Sequence, residues 1–158
     1  MLTVAPKMET RQLVGAQDVG RLAHLNGRFA IVTVAPQDPA KRFSIASFDT
    51  STNSFVHSMY RGDDALCFGD EFLFEPDLTK PIGQSAPGIK SGGTAFLDKD
   101  GVYVVVTIPT PGGGTDFRLV NLRSGAIVAW HGQPMYAFPN WRLVVPRSDG
   151  SLAQVFRV

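Results

Sequence analysis

Carboxylate side chains are concentrated in one short stretch of this sequence. Residues 63–77 contain six of the 14 acidic residues. Paired carboxylates can hydrolyse glycosides, but the acid and the base must then lie in different environments. Acids that share one solvated loop lack that difference, so the cluster predicts recognition of a basic partner through its field. Its members are Asp63, Asp64, Asp70, Glu71, Glu75 and Asp77.

No other group of residues has the spacing of a catalytic or metal site. The single cysteine, Cys67, lies between two apolar residues and is expected to be a buried, inert thiol. The Gly112–Gly114 run is not followed by Gly-Lys-Ser/Thr, which favours a hairpin loop over a phosphate-binding loop. We therefore expect no metal, no cofactor and no enzymatic activity. The histidines, none at metal-ligand spacing, are His24, His57 and His131.

A second candidate surface is aromatic. The segment 130–141, WHGQPMYAFPNW, is rich in the residue types that contribute most at protein interfaces and at sugar or small-ligand sites. Phe138 is expected to be buried, whereas its neighbours are candidates for contact with a ligand. Together with the acidic loop, this segment gives the predicted binding residues: Tyr60, Arg61, Asp63, Asp64, Asp70, Glu71, Trp130, His131, Tyr136 and Trp141.

Composition limits the class of protein that can carry these residues. A chain of 158 residues corresponds to a single domain with a sizeable core. The net charge of +1 gives no general attraction to nucleic acid or anionic membranes. The start, MLTVAPKMET, does not read as a signal peptide, so a cytoplasmic location is expected, although a removed leader would leave the same sequence. The ratio of 10 Arg to 5 Lys, with abundant Ala, Gly, Val and Pro, suits a GC-rich bacterial genome.

The sequence pattern predicts an internal duplication of β-strands. Residues 27–48 align with residues 101–122, so that Phe29, Ile31 and Phe43 correspond to Tyr103, Val105 and Phe117. Both segments follow an Asn-Gly or Asp-Gly turn and are dense in Val, Ile and aromatic residues, which is typical of hairpins with buried strands. Val105 and Phe117 are therefore expected to be buried. We expect repeat 1 at about 20–81, a linker at 82–93 and repeat 2 at about 94–158, with a further hairpin around Asp149 and Gly150.

The two predicted repeats carry opposite charge. Residues 27–81 hold 8 acids and 5 bases, whereas residues 101–158 hold 2 acids and 5 arginines. The net charges are therefore −3 and +3, which favours attraction between the halves or a dipolar surface for a partner.

The strand pattern of the second half resembles a β-propeller blade. Asp100-Gly101-x-Tyr103, then Phe117-Arg118-Leu119, a Ser124-Gly125 turn and a strand ending at Trp130 are similar to the quinoprotein (PQQ-type) or WD-type repeat, with a degraded copy in the first half. Because a propeller typically needs four to eight blades, the expected fold is all-β and antiparallel, with two blade-like sheets of about 70 residues packed as a sandwich or barrel. An irregular small propeller or a propeller assembled from several chains remains the alternative.

The function predicted from these features is non-enzymatic binding. The expected partner is a protein, which the acidic cluster suggests is basic, and an immunity or inhibitor type of protein is the nearest analogy. The alternative is a lectin-like or small-ligand-binding β module that uses Trp130, Tyr136 and Trp141. Nucleic acid and membrane partners are not expected, and the sequence leaves homo-oligomerisation open.

Overall fold

A computed structural model describes residues 8–34, 43–51, 54–68, 72–79, 83–85, 94–99, 101–129, 135–138 and 140–157. These residues form an all-β protein with one helical turn, α1, at Gly15–Asp18. Within the described ranges, no helix combines the length and apolar character required to cross a membrane.

The strands follow one another closely, most of them separated by short turns. In chain order they are β1 (Met8–Gln12), β2 (Leu22–Leu25), β3 (Arg28–Val34), β4 (Phe43–Asp49), β5 (Ser54–Met59), β6 (Asp64–Phe68), β7 (Leu73–Pro76), β8 (Gly83–Ser85), β9 (Ala95–Asp98), β10 (Gly101–Pro109), β11 (Thr115–Asn121), β12 (Ile127–Val128), β13 (Met135–Phe138), β14 (Trp141–Pro146) and β15 (Leu152–Arg157). The predicted hairpin around Asp149 and Gly150 is confirmed as β14 and β15.

A large sheet forms the body of the protein. Its strands lie in the order β1-β6-β2-β3-β4-β5-β10-β9-β13-β8, and β11 and β12 extend from β10. The pairings are antiparallel except that of β5 with β10, where Phe55 lies opposite Val106 in parallel register. This parallel contact joins the first half of the chain to the second.

A smaller sheet packs on one face of the large one. It consists of β15-β14-β7, so it combines a strand of the first half with two strands of the second. Trp141 and Leu143 of β14 belong to the main core. We use this name for the cluster of buried residues from both sheets that also includes Phe55 and Val104 of the large sheet. The predicted division into one sheet per repeat is therefore wrong, because residues from both halves build each sheet. Among the described residues, the arrangement shows neither a closed barrel nor a propeller.

The opposite face of the large sheet carries two separate clusters. The first-half cluster surrounds Ala30, Val32 and Ile45, and Cys67 belongs to it with 2% exposure, which confirms its predicted burial. The second-half cluster surrounds Phe96, Tyr103, Val105 and Leu119.

The internal duplication is not confirmed. Strands β2–β5 and β9–β12 are both four-stranded antiparallel meanders, as repeated units would be. However, Ile31 lies in the main core whereas Val105, its predicted counterpart, lies in the second-half cluster. Phe29 and Tyr103 are separated in the same way. A one-residue shift of a strand moves its side chains to the other face of the sheet, and this shift separates the aligned pairs.

Three further predictions of buried residues can be compared directly with the structure. Phe138 is 5% exposed and Val105 is fully buried, as predicted. Phe117 is only partly buried and packs at the margin of the second-half cluster. The prediction that Phe117 is buried in the core is therefore wrong, and its side chain lies on the periphery. The third aligned pair includes Phe43, whose side chain lies outside the described residues.

A turn of the second half docks against β3 without space for side chains. Gly125 has φ +68, and a Cβ built on it would lie 2.5 Å from the carbonyl oxygen of Val32 and 2.7 Å from the Gly20 nitrogen. Its carbonyl oxygen accepts a hydrogen bond of 3.0 Å from the Val34 N–H. Glycine is therefore required here both for its backbone conformation and for the close approach.

Candidate functional site

The loop between β5 and β6 is held in place by its own hydrogen bonds. The Tyr60 hydroxyl donates to the Asp63 carbonyl oxygen at 2.6 Å and accepts from the Leu13 N–H at 3.0 Å. The Asn26 side-chain amide donates to the Asp63 carboxylate at 3.1 Å. The loop, residues 60–63, is thus fixed both to the segment after β1 and to the turn between β2 and β3.

An ion pair between the buried Asp18 and the partly exposed Arg11 holds the segment that supports Tyr60. Asp18 is fully buried, and both of its carboxylate oxygens accept hydrogen bonds of 2.7 Å from the Arg11 guanidinium. The Val14 N–H donates to the same carboxylate at 2.5 Å. These hydrogen bonds from Arg11, more than the opposing effect of burial, keep the pKa of Asp18 below its usual value. The carboxylate therefore stays charged and fixes the chain on either side of Leu13.

A groove of about 630 Å³ lies beside the loop. We call it the loop groove. Its apolar floor includes Leu25 and Ile45, which are 5% and 7% exposed. The Met59 side chain is 42% exposed and offers a flexible apolar contact at its edge. The lining residues of the loop groove are Leu25, Asn26, Ile45, Ser58, Met59, Arg61 and Asp63.

The rim of the loop groove is charged and solvated. Arg61 and Asp63 line the groove, and Asp64 follows Asp63 in the chain. All three are exposed, and their formal charges sum to −1. An apolar floor with a polar rim is the usual composition of a recognition surface. Among the described residues, no group of three or more His, Cys, Asp or Glu side chains could hold a metal ion. The arrangement can therefore bind a complementary surface through hydrogen bonds, charge and apolar contact.

A serine–histidine contact occurs elsewhere, but its hydroxyl is inaccessible. His57 Nε2 lies 2.8 Å from Ser44 Oγ, and Ser44 Oγ lies 2.7 Å from Thr33 Oγ1. Both hydroxyl-bearing residues are fully buried, so a substrate cannot reach Ser44 in this structure. Burial lowers the pKa of His57, which favours the neutral imidazole. This chain of hydrogen bonds satisfies polar groups inside the sheet.

The structure brings four of the predicted binding residues together: Tyr60, Arg61, Asp63 and Asp64 lie in or beside the loop. Trp141 lies in the small sheet and is 2% exposed, with its ring stacked on Phe55 at 6.0 Å between centroids. Its aromatic surface is therefore committed to the core. The predicted residues Asp70, Glu71, Trp130 and His131 lie outside the described residues, as does the side chain of Tyr136 in β13.

Sequence reasoning missed the part of the groove that comes from other strands. Asn26 was recognised only as a turn residue, and its positive φ of 50° confirms that role. Its amide also orients the Asp63 carboxylate, a contact across 37 residues of sequence. Leu25, Ile45 and Met59 looked like ordinary strand residues, and no local pattern distinguishes a groove floor from the core.

Comparison with known proteins gives no match. No protein-family model, no curated protein and no solved structure matches this chain.

Proposed function

We propose that this chain is a non-enzymatic binding protein whose partner is another protein, and that the partner docks on the loop groove. The observation that carries the proposal is the fixation of residues 60–63 by three hydrogen bonds to and from Tyr60 and Asp63. A loop that is already ordered loses little conformational entropy when it binds. Its exposed groups are therefore available as a preformed recognition surface.

The groove also suggests the chemistry of the partner. Asp63 and Asp64 would attract a lysine or arginine, and Arg61 would accept one acidic neighbour. The floor at Leu25 and Ile45 would receive an apolar side chain, while Met59 adapts to its shape. The best-fitting partner is a protein that presents a basic residue next to an apolar one.

An inhibitor of the immunity-protein type is the form of this function that we favour. Such a protein acts by occupying a partner's active site, which needs a rigid, charged loop on a stable scaffold. The loop here joins two strands of the large sheet, and the ion pair of Arg11 with the buried Asp18 supports it. The large sheet can therefore keep the loop in one conformation while the loop covers the partner's active-site side chains.

The test compares the wild-type chain with a loop variant. Affinity capture from the native cells, with wild type and with the double variant Asp63→Asn, Asp64→Asn as baits, selects partners that depend on the loop. With that partner in hand, the double variant should slow association about tenfold at low salt and flatten its salt dependence. Met59→Ala should mainly speed dissociation. Both rates are measured by surface plasmon resonance at two salt concentrations.

The matched control is Asp116→Asn, which changes a partly buried carboxylate on β11 paired with Arg118. It should leave both rates unchanged. If the partner binds the double variant and Met59→Ala as it binds wild type, the loop groove is not the interface. If Trp130→Ala instead speeds dissociation while the acidic substitutions are silent, the aromatic segment carries binding and the proposal fails.

A further inference from the structure

A second groove of about 450 Å³ lies at one end of the small sheet. We call it the sheet groove. Its volume is within the range of about 300–1,000 Å³ that small-molecule sites occupy. It is lined by Glu75, Pro76, Asp77, Leu78, Asn140, Trp141, Arg142, Gln154 and Arg157.

Two arginines lie side by side on neighbouring strands of this groove. Arg142 of β14 lies directly opposite Arg157 of β15 in the antiparallel register. Both side chains are exposed, on the face of the sheet that points away from the main core. Like charges placed directly opposite on neighbouring strands destabilise a sheet. The fold gains nothing from this pairing, so a counter-ion between the two side chains would be stabilising.

Glu75 supplies the counter-charge for Arg142. Glu75, opposite Arg142 on β7, accepts a hydrogen bond of 2.6 Å from Arg142 Nε. Arg142 Nη1 also donates to Gln154 Oε1 at 3.4 Å, which orients the guanidinium toward β15. Among the described residues, Arg157 has no ion pair or hydrogen bond. The row Glu75–Arg142–Arg157 therefore keeps one uncompensated positive charge.

The second carboxylate of the groove, Asp77, also forms hydrogen bonds within its own turn. Asp77 accepts hydrogen bonds from the backbone N–H and the hydroxyl of Thr79, at 3.0 and 2.6 Å. Next to it, Leu78 is 72% exposed and Pro76 also lines the groove, which gives this wall an apolar surface. The groove thus joins a cationic wall at Arg157 to an apolar wall at Leu78.

We infer that the sheet groove binds a small oxyanion with an apolar body, whose carboxylate or phosphate group lies between Arg142 and Arg157. A guanidinium presents parallel N–H donors that match the oxygens of either group. Gln154 and Asn140 add neutral hydrogen-bonding groups beside the anion. The apolar part of the ligand lies against Leu78 and Pro76. This site is independent of the loop groove and of its partner.

The test is isothermal titration of the full chain with phenyl phosphate, benzoate and inorganic phosphate, at constant ionic strength set with chloride. Phenyl phosphate or benzoate should bind saturably, and the tighter of the two identifies the anionic group. Arg157→Gln should weaken binding at least about tenfold, because a charge-assisted hydrogen-bonding partner is lost. Leu78→Ser should weaken phenyl phosphate and benzoate but not inorganic phosphate.

The control is Arg118→Gln, which changes an arginine on β11 that is paired with Asp116. It should leave all affinities unchanged, and circular dichroism checks that each variant is folded. The absence of saturable binding by either aromatic probe would overturn the inference. Equal weakening by Arg157→Gln and Arg118→Gln would also overturn it, because it would show attraction to net charge without a site. The loop variant Asp63→Asn, Asp64→Asn should bind both aromatic probes as wild type does.

Discussion

Replacement of Trp141 by alanine tests the arrangement of the two sheets. The side chain is 2% exposed, and its ring centroid lies 6.0 Å from that of Phe55, 5.5 Å from Phe74 and 5.7 Å from Phe156. These partners come from the large sheet and from both neighbours of β14 in the small sheet. Trp141→Ala therefore leaves a cavity at the junction between the sheets.

The expected loss follows from this environment. Truncation of a buried Trp or Phe to Ala costs about 3–5 kcal/mol, as lost transfer free energy plus the cavity. Three ring contacts disappear together, and each such pair contributes about 0.5–1.5 kcal/mol beyond its buried area. We therefore expect a loss near the upper end, about 4–5 kcal/mol. Domains have a total stability of about 5–15 kcal/mol, so the variant should be marginally folded.

Urea unfolding followed by far-ultraviolet circular dichroism measures this loss without using tryptophan fluorescence. Trp141→Phe, which keeps an aromatic ring, should lose less than Trp141→Ala. Leu78→Ala is the exposed control and should change the free energy of unfolding by no more than about 0.5 kcal/mol. A loss below about 1 kcal/mol for Trp141→Ala would refute the reasoning, because it would mean that the indole is not in the core. In that case Trp141 would again be a candidate for ligand contact.

Three further substitutions test the turn at Gly125, the ion pair of Asp18 with Arg11, and the partly buried His57. Gly125→Ala should destabilise by more than about 1 kcal/mol in urea unfolding, since its Cβ would collide with the Val32 carbonyl oxygen at positive φ. Asp18→Asn should cost about 1.5–3 kcal/mol at pH 7, because the charge-assisted hydrogen bonds between Arg11 and the buried carboxylate are lost. The folded-state pKa of Asp18 is lowered, so its carboxylate contributes fully to the free energy of unfolding above pH about 4 and loses this contribution on further acidification. Asp18→Asn should therefore lack this decrease in stability at acidic pH. The folded-state pKa of His57 is also lowered, so the free energy of unfolding of the wild type should fall as the pH drops below about 6.5. His57→Gln should remove this fall. An unchanged pH dependence in the variant would contradict the role given to His57.

Local patterns predicted several of the strands and turns of this protein. Dense β-branched and aromatic runs mark β3 and β10, because such side chains fit the pleated, buried surface of a sheet. The Asn26-Gly27 turn has both φ values positive, as its dipeptide predicts. Cys67, Val105 and Phe138 are buried as their apolar neighbours indicated. A run of apolar residues indicates burial without information about distant strands, so the burial of these residues could be predicted from the local sequence.

Pairing between distant strands could not be predicted in the same way. The parallel contact of β5 with β10 and the pairing of β7 with β14 join residues more than 50 positions apart. An alignment by apolar character placed Ile31 with Val105, but the two β-runs tolerate a one-residue shift because consecutive residues in both are apolar. Only the pairing of each strand with its neighbours decides which face a residue takes.

The sequence by itself determined an all-β chain, its turns, and the loop residues Tyr60, Arg61, Asp63 and Asp64 as neighbours on one surface. Tertiary structure decided which residues lie beside them: Asn26 and Ile45 complete the loop groove, and Glu75 of β7 lies opposite Arg142 of β14 in the small sheet. Hydrogen-bonded strand pairing brings together residues whose separation in sequence carries no signal of contact. A turn or an alternating strand depends on adjacent residues, whereas a groove depends on where whole strands finally lie.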